Sequence, residues 1–141
     1  MTITLPIEII KLEDASYHLM IEALFIQNIQ GNLIIDTGAS KTVFDQQFVE
    51  SFVVDLQDVD DKNSSGINAM ITKATFGVIP EIKFGTLEIK NYQSLLLDLS
   101  HVNALYKKYT NKQIAGLIGS DFLVQYEAVI DYKQQKITLN Y

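Results

Sequence analysis

Residues 32–45 read NLIIDTGASKTVFD, an aliphatic run that stops on an aspartate followed at once by threonine and glycine. Leu33, Ile34 and Ile35 predict a buried strand. A buried strand that delivers a carboxylate is costly unless the carboxylate is paired or hydrogen-bonded, so the fold must bring a partner to Asp36. Thr37 supplies a hydroxyl able to tie the turn to a neighbouring segment, and Gly38 frees the backbone to turn sharply. The same residue types are ordinary turn formers, and a strand end running into a helix cap would use the same letters.

The surrounding chain narrows the choice. Its 141 residues, 48% of them hydrophobic, suffice for one compact domain spanning residues 1–141. Seventeen acidic against 11 basic residues give a net charge of −6, which offers no basic face to a phosphate backbone and argues against a nucleic-acid partner. There is no cysteine, and His18 and His101 have no partner nearby in sequence, so neither a metal site nor a cofactor is expected. Asp55, Asp58, Asp60 and Asp61 lack the glycine and distal glutamate of a calcium loop and read as a solvated segment. The opening MTITLPIEIIKLED has neither the basic start nor the apolar run of a secretory signal, and no apolar stretch approaches a membrane span. The expectation is a cytoplasmic protein off the membrane, or an exported one if a signal has been removed ahead of residue 1.

The pattern along the chain is mainly β. Strands are predicted over 3–12, with Pro6 marking an edge, over 17–26, and from Asn32 to Asp36 after an NIQG turn. Further strands are expected over 67–76, 78–84 and 86–97, with FGTLE turning between the last two, and the closing YEAVIDYKQQKITLNY reads as a hairpin. Three short helices interrupt them. Ser40 or Asp45 would cap the first, with Phe44, Phe48 and Phe52 on one face; Ser100 would cap the second, with Val102, Leu105, Tyr106 and Tyr109 in helical register; the third begins near Ser120. Residues 55–68 are polar and turn-rich and read as a loop or hairpin tip. Asp131 reads as a solvated hairpin residue, and the tyrosines and phenylalanines as core and interface.

LIIDTGAS resembles the active-site motif of the aspartic proteases, and IAGLIGSDFL, residues 114–123, resembles their second signature, an apolar pair and glycine that pack across the active-site loop before a short helix. VIDYKQQKITL is similar to the final hairpin of bacterial members. The resemblance is to the retropepsin-like aspartic proteases. It implies a closed, orthogonal β-barrel with two or three short helices, Asp36, Thr37 and Gly38 as the catalytic tripeptide, and Leu117, Ile118 and Gly119 as the structural second motif. The D-T-G tripeptide occurs once in this chain, so a catalytic pair requires two copies. The implied active form is a homodimer with Asp36 of each copy at the two-fold axis, Thr37 bonded across it, and the terminal segments 1–6 and 137–141 at the interface.

Two carboxylates that close share one proton, so one acts as base toward a water while the other acts as acid. The implied reaction is hydrolysis of peptide bonds in an extended polypeptide, without metal or cofactor, at acidic to mildly acidic pH. Ala39 follows the tripeptide as in retroviral proteases; viral relatives carry an Asp–Arg pair at the positions of Ser40 and Ser120, and both are serine here. Ser40 reads equally as a substrate contact or a helix cap. The resemblance places a substrate-covering flap at Lys62–Thr75 with Gly66, Ile67 and Asn68 at its tip; an ordinary exposed hairpin is the other reading. Asp121 matches a structural position at the start of the third helix. A module of the same fold that dimerises or binds peptides without cutting them is the alternative to a protease.

Overall fold

The computed structural model describes residues 1–58 and 75–141. The strands are β1 (Thr2–Pro6), β2 (Glu8–Lys11), β3 (Tyr17–Phe25), β4 (Gln30–Ile35), β5 (Val43–Asp45), β6 (Val54–Asp58), β7 (Thr75–Phe84), β8 (Leu87–Leu97), β9 (Ile114–Ile118), β10 (Val129–Asp131) and β11 (Lys136–Asn140). The helices are α1 (Gln46–Val49), α2 (Ser100–Tyr109) and α3 (Ser120–Gln125).

β3, β4, β9, β5, β8 and β7 pair in that order, and β7 returns to β3 through Leu24↔Lys83 and Phe25↔Ile82, closing a six-stranded barrel. Closure is possible because β3 divides one edge between two neighbours: Tyr17–Met20 pair with β2, and Leu24–Phe25 with β7. The barrel is filled by the inward halves of alternating strands, with Phe25, Leu33, Phe44, Ile79 and Phe84 at or below 1% exposure. β1, β11 and β10 form a second sheet whose Ile137 and Leu139 are fully buried in the same core.

Several expectations are met in the strands. Pro6 ends β1, which among the described residues pairs only with β11, so its missing N–H costs no ladder bond there. The β7–β8 hairpin turns at Gly85, at φ +60°, and β10–β11 form the closing hairpin, where Asp131 Oδ1 accepts the Gln134 N–H at 2.9 Å. α3 begins at Ser120 as expected.

Others are corrected. The segment 3–12 is two strands in two sheets, broken at the buried Ile7, whose N–H donates to Gln135 O at 2.9 Å. The turn before β4 is made by Gln27 and Asn28, at φ 60° and 59°, whereas Gly31 lies inside β4. A Cβ on Gly31 would stand 2.6 Å from Phe25 and 2.9 Å from Phe48, so this glycine serves close packing. Phe44 lies in β5, not in a helix; Phe48 lies in α1 and Phe52 beyond it, and all three rings meet Phe25 at centroid distances of 5.8, 5.1 and 5.7 Å. Asp45 occupies the N-cap position of α1, yet its buried carboxylate accepts the Leu99 N–H instead. Residues 54–58, expected mostly as loop, form β6. α2 is capped at Leu99 rather than Ser100, with Asp98 Oδ1 accepting the Ser100 N–H at 2.9 Å. Of its predicted apolar face only Tyr106 is fully buried, while Leu105 and Tyr109 are exposed.

Candidate active site

The loop 36–42 joins β4 to β5, which are not neighbours: β9 lies between them, parallel to β4 and antiparallel to β5. This arrangement forces the second motif under the loop. Asp36 extends the β4–β9 ladder by donating its N–H to Ile118 O at 2.9 Å, so the carboxylate leaves the barrel where the strand ends. Gly116 permits the crossing, because a Cβ there would stand 2.5 Å from Val43 O. Gly119 permits the next, at 2.6 Å from the Lys41 carbonyl carbon and 2.9 Å from Ala39 O. Ile118 and Gly119 are buried and Leu117 is half-buried.

The loop is anchored at three levels. Asp36 is half-buried, its Oδ1 accepts the Gly38 N–H at 3.0 Å, and its carbonyl accepts the Ala39 N–H at 3.1 Å. The expected partner of the carboxylate is therefore a backbone amide of its own loop. Below it, the Ser120 N–H donates to Ala39 O at 2.7 Å and the Ser120 hydroxyl to Thr37 O at 2.9 Å. Deepest lies Thr42, at 2% exposure: its N–H and hydroxyl both donate to Asp121 Oδ1 at 2.8 Å, and its oxygen accepts the buried Gly119 N–H at 3.0 Å. Asp121 Oδ1 also accepts the Phe122 N–H at 2.8 Å at the start of α3, in keeping with a structural position.

Thr37, Gly38 and Ser40 are exposed and Ala39 is half-buried. Among the described residues the Thr37 hydroxyl has no hydrogen-bond partner. Gly38 corrects the reason given for it: its φ lies outside the left-handed region, and a Cβ would meet only Asp36 Oδ1 at 3.4 Å, an ordinary contact. Ser40 stands five residues before the N-cap of α1, so its helix-cap reading falls. Gly66, Ile67 and Asn68, with 62–74 of the predicted flap, lie outside the described residues, as do Asp60 and Asp61; the exposed Asp55 and Asp58 belong to β6.

Sequence reasoning missed Thr42 and Gly116, and it gave His18 no partner. His18 Nδ1 lies 2.6 Å from the hydroxyl of the buried Tyr106, which docks α2 on the outside of β3; burial pushes that phenol up to about 12. α2 in turn fixes β9, since Asn103 Oδ1 accepts the Ile114 N–H at 2.6 Å. Burial also pushes Tyr92, beneath the loop between Phe44 and Phe122, up to about 12. Two open recesses, of about 640 and 570 Å³, lie elsewhere, and Asp36 lines neither. Among the described residues no three or more histidines or carboxylates are grouped to hold a metal, and no helix is long and apolar enough to cross a membrane.

A closed barrel with a strand threaded beneath a D-T-G loop is a retropepsin-like fold. The family model described as "Aspartyl protease" matches residues 24–122, a span holding both the loop and its supporting strand, and the chain belongs to that family. No curated protein sequence matches it. A retropepsin-like aspartic protease from Rickettsia conorii superimposes with a TM-score of 0.57 at 19% identity, over 100% of this chain and 90% of that one. The retroviral protease-like domain of Ddi1 from Leishmania major gives 0.55 at 15% identity, over 86% and 87% of the two chains.

Proposed function

We propose that this chain is a single-domain aspartic endopeptidase that hydrolyses peptide bonds of extended polypeptide as a homodimer. The observation that carries the reading is the D-T-G loop itself. Its carboxylate stands half-exposed at the end of a buried strand, steadied by the Gly38 amide, while Ser120, Thr42 and Gly119 brace the loop from beneath. A fold spends such bracing on a surface loop where position matters to a reacting group.

One chain supplies one such carboxylate, and addition of water to an amide calls for a base and an acid at the same bond. Two copies of Asp36 meet both needs by sharing one proton. The ionised member takes a proton from water as the oxygen attacks the carbonyl, and the protonated member supports the developing oxyanion; the proton then passes to the leaving amine. Thr37 and Gly38 set the loop, and the half-buried Ala39 and exposed Ser40 lie where a substrate backbone would run beside it.

The test is digestion of a diverse unfolded peptide library from acidic to neutral pH by wild type and by Asp36→Asn, with circular dichroism confirming that both are folded. Cuts that vanish in the variant support the reading. Cuts that persist overturn it, and no cuts by a wild-type protein that sediments as a dimer move the assignment to a peptide-binding module.

A further inference from the structure

We propose that the fork on the edge of β3, where β2 and β7 part, binds a short extended peptide segment with a basic residue at its centre. The fork is the recess of about 640 Å³, which Asp36 does not line, and binding there is independent of whether the chain cuts what it holds. β2 pairs with β3 as far as Glu8↔Met20, and β7 takes up the same edge at Leu24↔Lys83. Between them Ile21, Glu22 and Ala23 face no strand on that side among the described residues.

The alternation of the strand decides which of the three presents its backbone to the fork. The Phe25 N–H points to the β4 side, where it donates to Ile29 O at 2.7 Å. Alternation then turns the N–H and C=O of Ile21 and Ala23 toward their β4 partners Leu33 and Gly31, and those of Glu22 toward the fork. Had β2 continued its ladder, position 6 would stand opposite Glu22, but Pro6 has no N–H to offer and pairs with Lys136 in the other sheet. Glu22 thus keeps one donor and one acceptor open, the two groups that a residue of an added antiparallel strand fills. From Met20 to Leu24 is four residues, about 13 Å, so the fork takes a segment of about three residues whose ends leave the sheet.

The same residue fixes the charge of the occupant. A peptide residue paired with Glu22 sets its side chain on the face that carries the Glu22 carboxylate, about 5.5 Å away at Cα. Glu22 is exposed and makes no ion pair among the described residues, whereas the other charges of the rim are committed: Glu8 to Lys112 at 3.3 Å, and Lys83 to Glu81 and Glu88 at 3.8 and 3.9 Å. A lysine or arginine at the centre of the segment answers that carboxylate, and the net charge of −6 draws a cation toward it. The residues on either side of the centre turn to the opposite face, where the recess is lined by the buried Ile7 and Ala23 and the half-buried Leu5, so apolar side chains suit them.

The probe is the peptide acetyl-Thr-Val-Lys-Val-Thr-amide, added to Asp36→Asn protein so that nothing is cut, with amide exchange and nitrogen–proton correlation spectra as the readout. Without peptide the Glu22 amide is expected to exchange at least about 10-fold faster than the paired amides of Met20 and Leu24, and saturating peptide to slow it about 10-fold while moving the Glu22, Leu24 and Lys83 resonances. Replacing the central lysine of the peptide by glutamate, or methylating its backbone nitrogen, should weaken binding about 10-fold, and Glu22→Lys should reverse the preference in favour of the glutamate peptide with unchanged circular dichroism. A Glu22 amide as protected as that of Met20, shifts confined to residues 36–42, or a Glu22→Lys protein that still prefers the lysine peptide would overturn the proposal. Peptide held at Glu22 by a dimeric wild-type protein that cuts no peptide upholds the site and removes the protease reading, whereas cleavage without this binding does the reverse.

Discussion

Replacing Thr42 by valine keeps the volume of a buried side chain and removes one oxygen that serves two partners. The hydroxyl donates to Asp121 Oδ1 at 2.8 Å and accepts the Gly119 N–H at 3.0 Å. Its loss leaves Asp121 with the Thr42 and Phe122 amides, and leaves the Gly119 amide buried without an acceptor. A hydrogen bond to a charged group contributes about 1.5–3 kcal/mol and an orphaned buried amide costs about 1–3 kcal/mol. The two share an atom and overlap, so roughly 3 kcal/mol is the expected loss. For a chain of this size that corresponds to a fall in Tm of about 9 °C. The assay is thermal and urea unfolding at one fixed protein concentration, because a dimer makes Tm concentration-dependent. Thr42→Ser, which keeps the oxygen, should lose less than about 1.5 kcal/mol, the scale of one buried methyl group. A valine variant within about 0.5 kcal/mol of wild type, or a serine variant as unstable as the valine, would refute the reasoning that the hydroxyl supports the loop.

The glycines of the site separate folding from chemistry. Gly119→Ala drives a Cβ into the Lys41 and Ala39 carbonyl groups, backbone that cannot step aside, so a loss of about 3 kcal/mol or more is expected in urea unfolding. Gly38→Ala meets no such wall, its Cβ standing at ordinary contact distance from the Asp36 carboxylate, so it should unfold within about 0.5 kcal/mol of wild type and, on the proposed mechanism, keep cleavage within about 10-fold of wild type in a peptide assay. Gly31→Ala, pressed on Phe25 and Phe48, should cost about 1–3 kcal/mol without altering the pH profile of cleavage. In an ultraviolet titration of the seven tyrosines, Tyr92 and Tyr106 should ionise last, near 12, because burial disfavours their phenolates. The sign follows from linkage: each native phenol holds its proton above the ordinary value of 10.0, so the stability it contributes is full below that pH and is lost as pH rises toward about 12. Tyr106→Phe should remove one of the two late transitions.

What the sequence made legible was what neighbouring residues encode together. Leu33 to Asp36 announces a buried strand ending on a carboxylate, whereas the closed barrel was legible only through the resemblance that LIIDTGAS and IAGLIGSDFL carry. Thr42 was not legible, since its partners lie 77 and 79 positions away and nothing in SKTVFD distinguishes a buried hydroxyl from a surface one. The phenylalanines misled for a related reason. Spacing of four at 44, 48 and 52 imitates one helix face, yet the chain passes from strand to helix at Asp45, and the rings converge because Phe25, on another strand, collects them.

Glycine sharpens the point, because the residue answers two different demands that look identical in sequence. Gly85 is needed for its φ of +60°, and a turn pattern finds it. Gly31, Gly116 and Gly119 are needed because another segment lies where a Cβ would go, and only the apolar pair before Gly119 signals that crossing. The turn before β4 shows the exchange in full: the left-handed positions went to Gln27 and Asn28, which tolerate them at some cost, while the adjacent glycine was kept for the Phe25 ring. Moving a glycine to position 28 should therefore stabilise the turn, whereas removing the one at 31 should not be rescued by it. A double variant Asn28→Gly/Gly31→Ala as stable as wild type in urea would show that Gly31 serves the turn after all.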